Sequence, residues 1–124
     1  MQGPGVTWQP YSDPLLSEAK ILNKPVIIDF YADWCSPCRE LEDVTFHDAE
    51  IVKQAGQDFI MVKIDLTRRG NPVHKQLLKE YKVKGVPTVV FIDRQGIEQN
   101  NLRLVDFLPA DQFLIRMAET KKSL

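Results

Sequence analysis

The chain has 124 residues, of which 44% are hydrophobic and 27% charged, with a net charge of −1. This is enough apolar material for one domain with its own core, and the charge balance excludes a disordered chain and gives no basis for nucleic-acid binding. Its basic residues are scattered without interleaved aromatics and read as solvated surface, no apolar run approaches the ~18 residues a membrane span needs, and residues 1–5 lack the basic and apolar regions of a signal peptide.

Residues 1–7 read as a tail or linker, suiting a free protein and a domain cut from a longer one equally, ahead of a domain over 8–120 and a tail over 121–124. Trp8 and Tyr11 are expected to pack onto that domain. Asp13-Pro14 followed by Leu15, Leu16, Ala19 and Leu22 predicts a capped amphipathic helix ended at Asn23-Lys24-Pro25. Val26–Tyr31 predicts a buried strand. A helix is expected from about Cys38, with Leu41 and Val44 on its face; it pauses at Thr45-Phe46-His47, where Asp48 caps a further stretch through Ile51, Val52 and Ala55 that Gly56 closes. Residues 59–66, β-branched and apolar, predict a second strand. Asn71-Pro72 caps a helix carrying Val73, Leu77, Leu78 and Tyr81, interrupted by Gly85. Residues 86–93 predict a third strand, the turn Arg94-Gln95-Gly96 leads to a fourth over 102–107, and a last helix starts at Pro109 with Phe113, Leu114 and Met117 on one face. The spacing of the first two strands requires a helical crossover and so a parallel pair, whereas the short turn before the fourth favours an antiparallel hairpin. The expected fold is α/β, a central mixed β-sheet flanked by helices on both faces.

The only two cysteines stand three apart in Trp34-Cys35-Ser36-Pro37-Cys38, between a buried strand and a helix start. Cys-x-x-Cys alone is compatible with a redox dithiol, half a zinc site or a haem attachment. Arg39 occupies the position where haem attachment needs His, and His47 and His74 lack the spacing of known structural zinc sites. Placed at a helix N-terminus, Cys35 meets unpaired N–H groups and the positive end of the dipole, which favour thiolate over thiol. It would attack a substrate disulfide; Cys38, one turn in and more buried, would resolve the mixed disulfide. Asp29 interrupts an apolar strand, where an unpaired carboxylate is expensive to bury, so it is a candidate for a raised pKa and proton handling; an exposed rim is its alternative position. Glu42, seven residues past Cys35 and four past Cys38, falls on the helical face of both sulfurs and completes the candidate catalytic set of Cys35, Cys38, Asp29 and Glu42.

Residues 26–38, with the Asp29 carboxyl and Trp34 before the first cysteine, resemble the first strand and active-site turn of the thioredoxin family, and Gly85-Val86-Pro87-Thr88 resembles that family's cis-proline loop. Within the family, the pattern Tyr31-Ala32-Asp33-Trp34-Cys35-x-x-Cys38-Arg39-x-x-Glu42-x-x-Thr45-Phe46 is similar to the C-terminal periplasmic domain of thiol:disulfide interchange proteins of the DsbD type, over nearly the whole chain. The resemblance implies a thioredoxin fold and a protein-disulfide reductase working by dithiol–disulfide exchange. It implies no cofactor beyond the Cys35–Cys38 couple, and substrate contacts from Trp34, Ser36, Pro37, Val86 and Pro87. It further implies a monomer in the periplasm, an upstream dithiol donor such as a membrane redox protein, and downstream disulfide-bearing proteins, with no membrane insertion by this chain; a cytoplasmic protein would carry the same residues. Two departures stand out: Ser36-Pro37 replaces an apolar dipeptide and is closer to thioredoxin itself, which tilts the couple toward reduction, and Asp106 replaces a common glycine before Phe107. A peptide-binding or chaperone-type module of the same fold, without redox turnover, is the alternative function.

Overall fold

The computed structural model describes residues 3–122. Among them a four-stranded sheet runs in the order β1-β3-β2-β4, formed by β1 (Gln9–Pro10), β2 (Val26–Tyr31), β3 (Ile60–Asp65) and β4 (Thr88–Ile92). β3 pairs in parallel with β1 and β2, while β2 pairs antiparallel with β4, so the sheet is mixed as expected. Five α-helices cover it: α1 (Leu15–Ile21), α2 (Ser36–Asp43), α3 (Ala49–Asp58), α4 (Pro72–Glu80) and α5 (Ala110–Lys122). The parallel β2–β3 pair is closed by the crossover through α2 and α3.

Strand β2 is buried along almost its whole length, and its alternating side chains feed two cores. Ile27 packs with Leu41, Phe46, Phe91, Phe113 and Met117 under α2, α3 and α5. Ile28 and Phe30 pack on the other face with Leu15, Ile64 and Leu77 under α1 and α4. Each fully buried side chain of this kind contributes roughly 1.5–3 kcal/mol, so the fold does not depend on a disulfide staple. Asp29 shares the Ile27 face, toward α2, and is opposite Lys63 in the β2–β3 register.

Several local expectations are corrected. No fourth strand forms over 102–107: a single 3₁₀ turn covers Asn100–Leu102, and this stretch bridges β4 only at Val89↔Leu104, while upstream Glu98 bridges Ile92 and the Gln99 N–H donates to the Phe91 carbonyl. The reason is that Leu104 is the segment's one fully buried residue, while Val105 is 67% exposed, leaving no alternating face to hold a ladder. The edge strand β1 was not expected; two residues ending in Pro give little strand signal, and Pro is tolerated there because edge positions need fewer N–H donors. Asp13 does not cap α1; Pro14 itself holds the cap position. Helix α2 starts at Ser36 rather than Cys38, and Gly56 lies inside α3, which continues to Asp58. Helix α4 ends well before Gly85. Lys82 takes a left-handed conformation (φ 54°), and the Lys82 and Val83 N–H groups donate to the Lys79 and Leu78 carbonyls, a closing motif usually built on glycine. Packing also reaches beyond 8–120, because Val6 is buried with its N–H donating to the Phe46 carbonyl at 2.9 Å, and α5 runs through Lys122.

Candidate active site

Cys35 and Cys38 form a disulfide with their Cα atoms 5.2 Å apart. The turn that delivers them is fixed from both sides. The Cys35 N–H donates to the Ala32 carbonyl (3.2 Å), and Cys35 then serves as N-cap of α2, with its sulfur accepting from the Cys38 N–H at 3.3 Å. Across the sheet, Thr67 holds the residues that precede Cys35. Its hydroxyl accepts from the Asp33 N–H (2.9 Å), its carbonyl accepts from the Trp34 indole (3.3 Å), and the hydroxyl donates to Asp65.

The expected exposure contrast between the cysteines is absent. Both are buried in the disulfide, Cys35 at 5% and Cys38 at 6% exposure. What separates them is their surroundings. The Cys35 sulfur sits at the helix N-terminus, where backbone N–H groups favour a thiolate. Cys38 lines a cleft of about 170 Å³ with Asp29, Glu42 and Lys63; Cys35 is not among that cleft's lining residues. The two carboxyls therefore share a cleft with Cys38 and not with Cys35.

Asp29 occupies the buried strand position rather than a rim, and its Oδ1 has no hydrogen-bond partner within the protein. Burial raises its pKa to about 7, against a downward pull from Lys63 and with a smaller upward push from Glu42. Glu42 is engaged: its Oε2 accepts from the Lys63 ammonium at 2.9 Å. That ammonium also lies 4.4 Å from the centre of the Tyr31 ring and 5.6 Å from that of Trp8. Tyr31 is pushed up to about 12 by burial and by the Asp65 carboxylate. Lys63 was missed in the sequence although its signal was of the same kind as that of Asp29, a lone charge in an apolar strand. Replacing Lys63 with Met is expected to move the Asp29 titration upward, read from the pH dependence of its carboxyl ¹³C shift; an unmoved midpoint would show that the cation does not act on this carboxyl.

Beside the disulfide, the Val86–Pro87 peptide bond is cis. Val86 packs against Ala32, Cys35 and Cys38, and the Thr88 hydroxyl closes the loop by donating to the Gly85 carbonyl at 2.7 Å. Pro87 is buried, Trp34 is 65% exposed above the neighbouring groove, Ser36 is exposed and Pro37 half-buried in the first turn of α2. Every residue expected at the site therefore lies around the disulfide, in three settings: the acid cleft, the helix start and the proline loop. The Asp106 carboxylate accepts from the Phe107 N–H. No group of three or more His, Cys, Asp or Glu side chains gathers at metal-holding distance among the described residues.

A Cys-x-x-Cys couple capping a helix just after a central strand of a mixed sheet, with a carboxyl buried on that strand, is a thiol–disulfide exchange centre. The chain belongs to the thioredoxin-like family, whose domain model matches residues 13–121. It is 43% identical over 99 residues to the thiol:disulfide interchange protein DsbD of Vibrio vulnificus, covering 80% of this chain and 16% of that protein. To the DsbD of Yersinia pestis it is 38% identical over 111 residues, covering 90% and 18%. The chain thus spans less than a fifth of the length of these curated relatives. Among solved structures, the oxidised C-terminal domain of Neisseria meningitidis DsbD superposes with a TM-score of 0.72 at 28% identity, over 93% of this chain and all of that one.

Proposed function

We propose that this chain is a reducing electron carrier, taking two electrons from an upstream dithiol and passing them to disulfides of partner proteins. The observation that carries the reading is the division of labour around the disulfide, with Cys35 as N-cap of α2, Cys38 on the Asp29 cleft, and Val86 packed against the pair.

In the reduced protein, the Cys35 thiolate attacks a substrate sulfur, the substrate S–S bond breaks, and the departing sulfur takes up a proton. Cys38 then loses its proton toward Asp29 and attacks the Cys35 sulfur, releasing the second substrate thiol and re-forming the Cys35–Cys38 disulfide. Asp29, titrating near neutrality, suits that exchange better than an ordinary carboxyl. The extended backbone of the substrate lies against Val86 and the Pro87 loop, with Trp34, Ser36 and Pro37 on its other side. No cofactor enters the cycle. The likeness to the DsbD proteins supports a periplasmic setting and a membrane-bound redox partner as donor; no described helix is long and apolar enough to cross a membrane. No observation favours the peptide-binding alternative.

The reduction potential tests the direction of electron flow. Equilibration with glutathione buffers, scored by alkylation of free thiols, is expected to give a value near the roughly −270 mV of thioredoxin. A value near −120 mV, where strong oxidants lie, would reverse the assignment.

A further inference from the structure

The basic residues that read as scattered surface charge are gathered by the fold around one groove. Beside the disulfide, a groove of about 390 Å³ has an apolar floor of Trp34, Leu66, Leu78, Val83 and Val86, and its rim carries Arg68, Arg69, Lys75 and Lys84. A second hollow of about 500 Å³ shares Lys84, Gly85 and Val86 with it and adds Lys82, Pro87 and the exposed Val105. Neither is lined by any Asp or Glu. The ion pairs among the described residues use Lys63, Arg103, Lys121 and Lys122. The five groove cations Arg68, Arg69, Lys75, Lys82 and Lys84 are therefore exposed and outside these ion pairs, although Arg68 and Arg69 also border a hollow that Asp33 and Asp65 line.

We propose that this groove receives an extended segment of the substrate protein that carries an apolar side chain and acidic residues beside the cystine. This deepens the reductase reading and rests on it. The chain as a whole is slightly acidic, so the rim reflects local placement rather than bulk charge. Unpaired cations around an apolar wall focus a field that draws in carboxylates, and the two arginines can grip them bidentately. The proton cleft at Cys38 is lined by Asp29, Asp33 and Glu42 together with Arg39 and Lys63, so its charges largely offset one another. An acidic segment is thus drawn to the proline-loop side, where the unpaired cations lie, rather than to the proton cleft, and this fixes how it crosses the sulfurs. The exchange is the balanced one above: the substrate gains two electrons and two protons, the chain becomes the disulfide, and an external dithiol restores it.

The test uses the full chain with dithiothreitol as reductant and three disulfides. One is the uncharged bis(2-hydroxyethyl) disulfide; the others are two cystine peptides with the same apolar residue, flanked by Glu in one and Lys in the other. At low salt the Glu peptide is expected to exceed the Lys peptide in kcat/KM by about tenfold, the ratio falling toward one as added salt shortens the screening length to a few Å. Combined Arg68→Glu and Lys84→Glu substitution is expected to invert the ratio. Equal rates for the two peptides at low salt would overturn the acidic preference and leave the reductase reading standing. Failure to reduce even the uncharged disulfide above background would overturn both. Binding to phosphatidylglycerol vesicles with no preference between the peptides would assign the rim to a lipid surface and overturn the proposal as well.

Discussion

Replacing Cys35 with Ser abolishes catalysed disulfide reduction, and replacing Cys38 with Ser converts the protein into a single-turnover trap. The first result follows from acidity: a serine hydroxyl offers no appreciable anion at neutral pH, and the helix N-terminus that stabilises a thiolate cannot make up that difference. The loss in insulin-reduction rate is expected to be at least about a thousandfold, because no second thiol remains in a position to begin the reaction. The second follows from placement. With Cys38 gone, the mixed disulfide formed by Cys35 has no internal attacker and persists until an external thiol reaches it. Non-reducing electrophoresis followed by mass spectrometry should place the substrate on Cys35. Full activity in Cys35→Ser, or a substrate trapped on Cys38 in that variant, would exchange the two roles.

That these roles could be assigned at all reflects what the sequence makes legible. The run Val26–Tyr31 followed by Trp34-Cys35-x-x-Cys38 places the couple between a buried strand and a helix, and the structure keeps that order. Asp29 was readable because a charge inside an apolar strand has few bland explanations, and Glu42 because helical spacing relates it to Cys38. The site's finer division was not readable. Which carboxyl is paired depends on Lys63, and Lys63 meets Glu42 only through the β2–β3 register and the docking of α2, neither of which is a local property. Thr67 escaped for the same reason: its contact to Asp33 spans 34 residues. The absent fourth strand shows the reverse failure. Residues 102–107 have acceptable strand composition, but Arg103 turns to Glu98 at 2.7 Å and to the Tyr81 carbonyl, also at 2.7 Å, and only Leu104 meets the sheet. Lys82 in a left-handed conformation likewise defeats a rule that looks for glycine at helix ends.

Asp29→Asn is expected to change both stability and the resolving step, each with its own pH signature. The folded protein holds a proton on Asp29 up to about pH 7, whereas the unfolded chain releases it near 3.8. The stability linked to that proton is therefore fully present below about 3.8 and lost as pH rises through about 7. At about 1.4 kcal/mol per pH unit, the interval corresponds to a decline on the order of 4 kcal/mol. In urea denaturation of the oxidised form, where the cysteines do not titrate, Asn should flatten this decline and gain a few kcal/mol over wild type at pH 8 relative to pH 5. An unchanged slope would mean that Asp29 ionises normally in its buried position. In the reduced protein the substitution removes a base from the Cys38 cleft and also removes a negative charge, and these act in opposite directions. Loss of charge lowers the thiol pKa values and favours attack by Cys38; loss of the base slows it. Proton transfer is expected to dominate, so that release of substrate from the mixed disulfide slows about tenfold to a hundredfold and its rate loses the inflection near pH 7. Thiolate absorbance measured on the same variant separates the two effects. Slower release together with thiol titration shifted to lower pH supports the base, whereas faster release with that same shift would show that Asp29 acts through its charge alone.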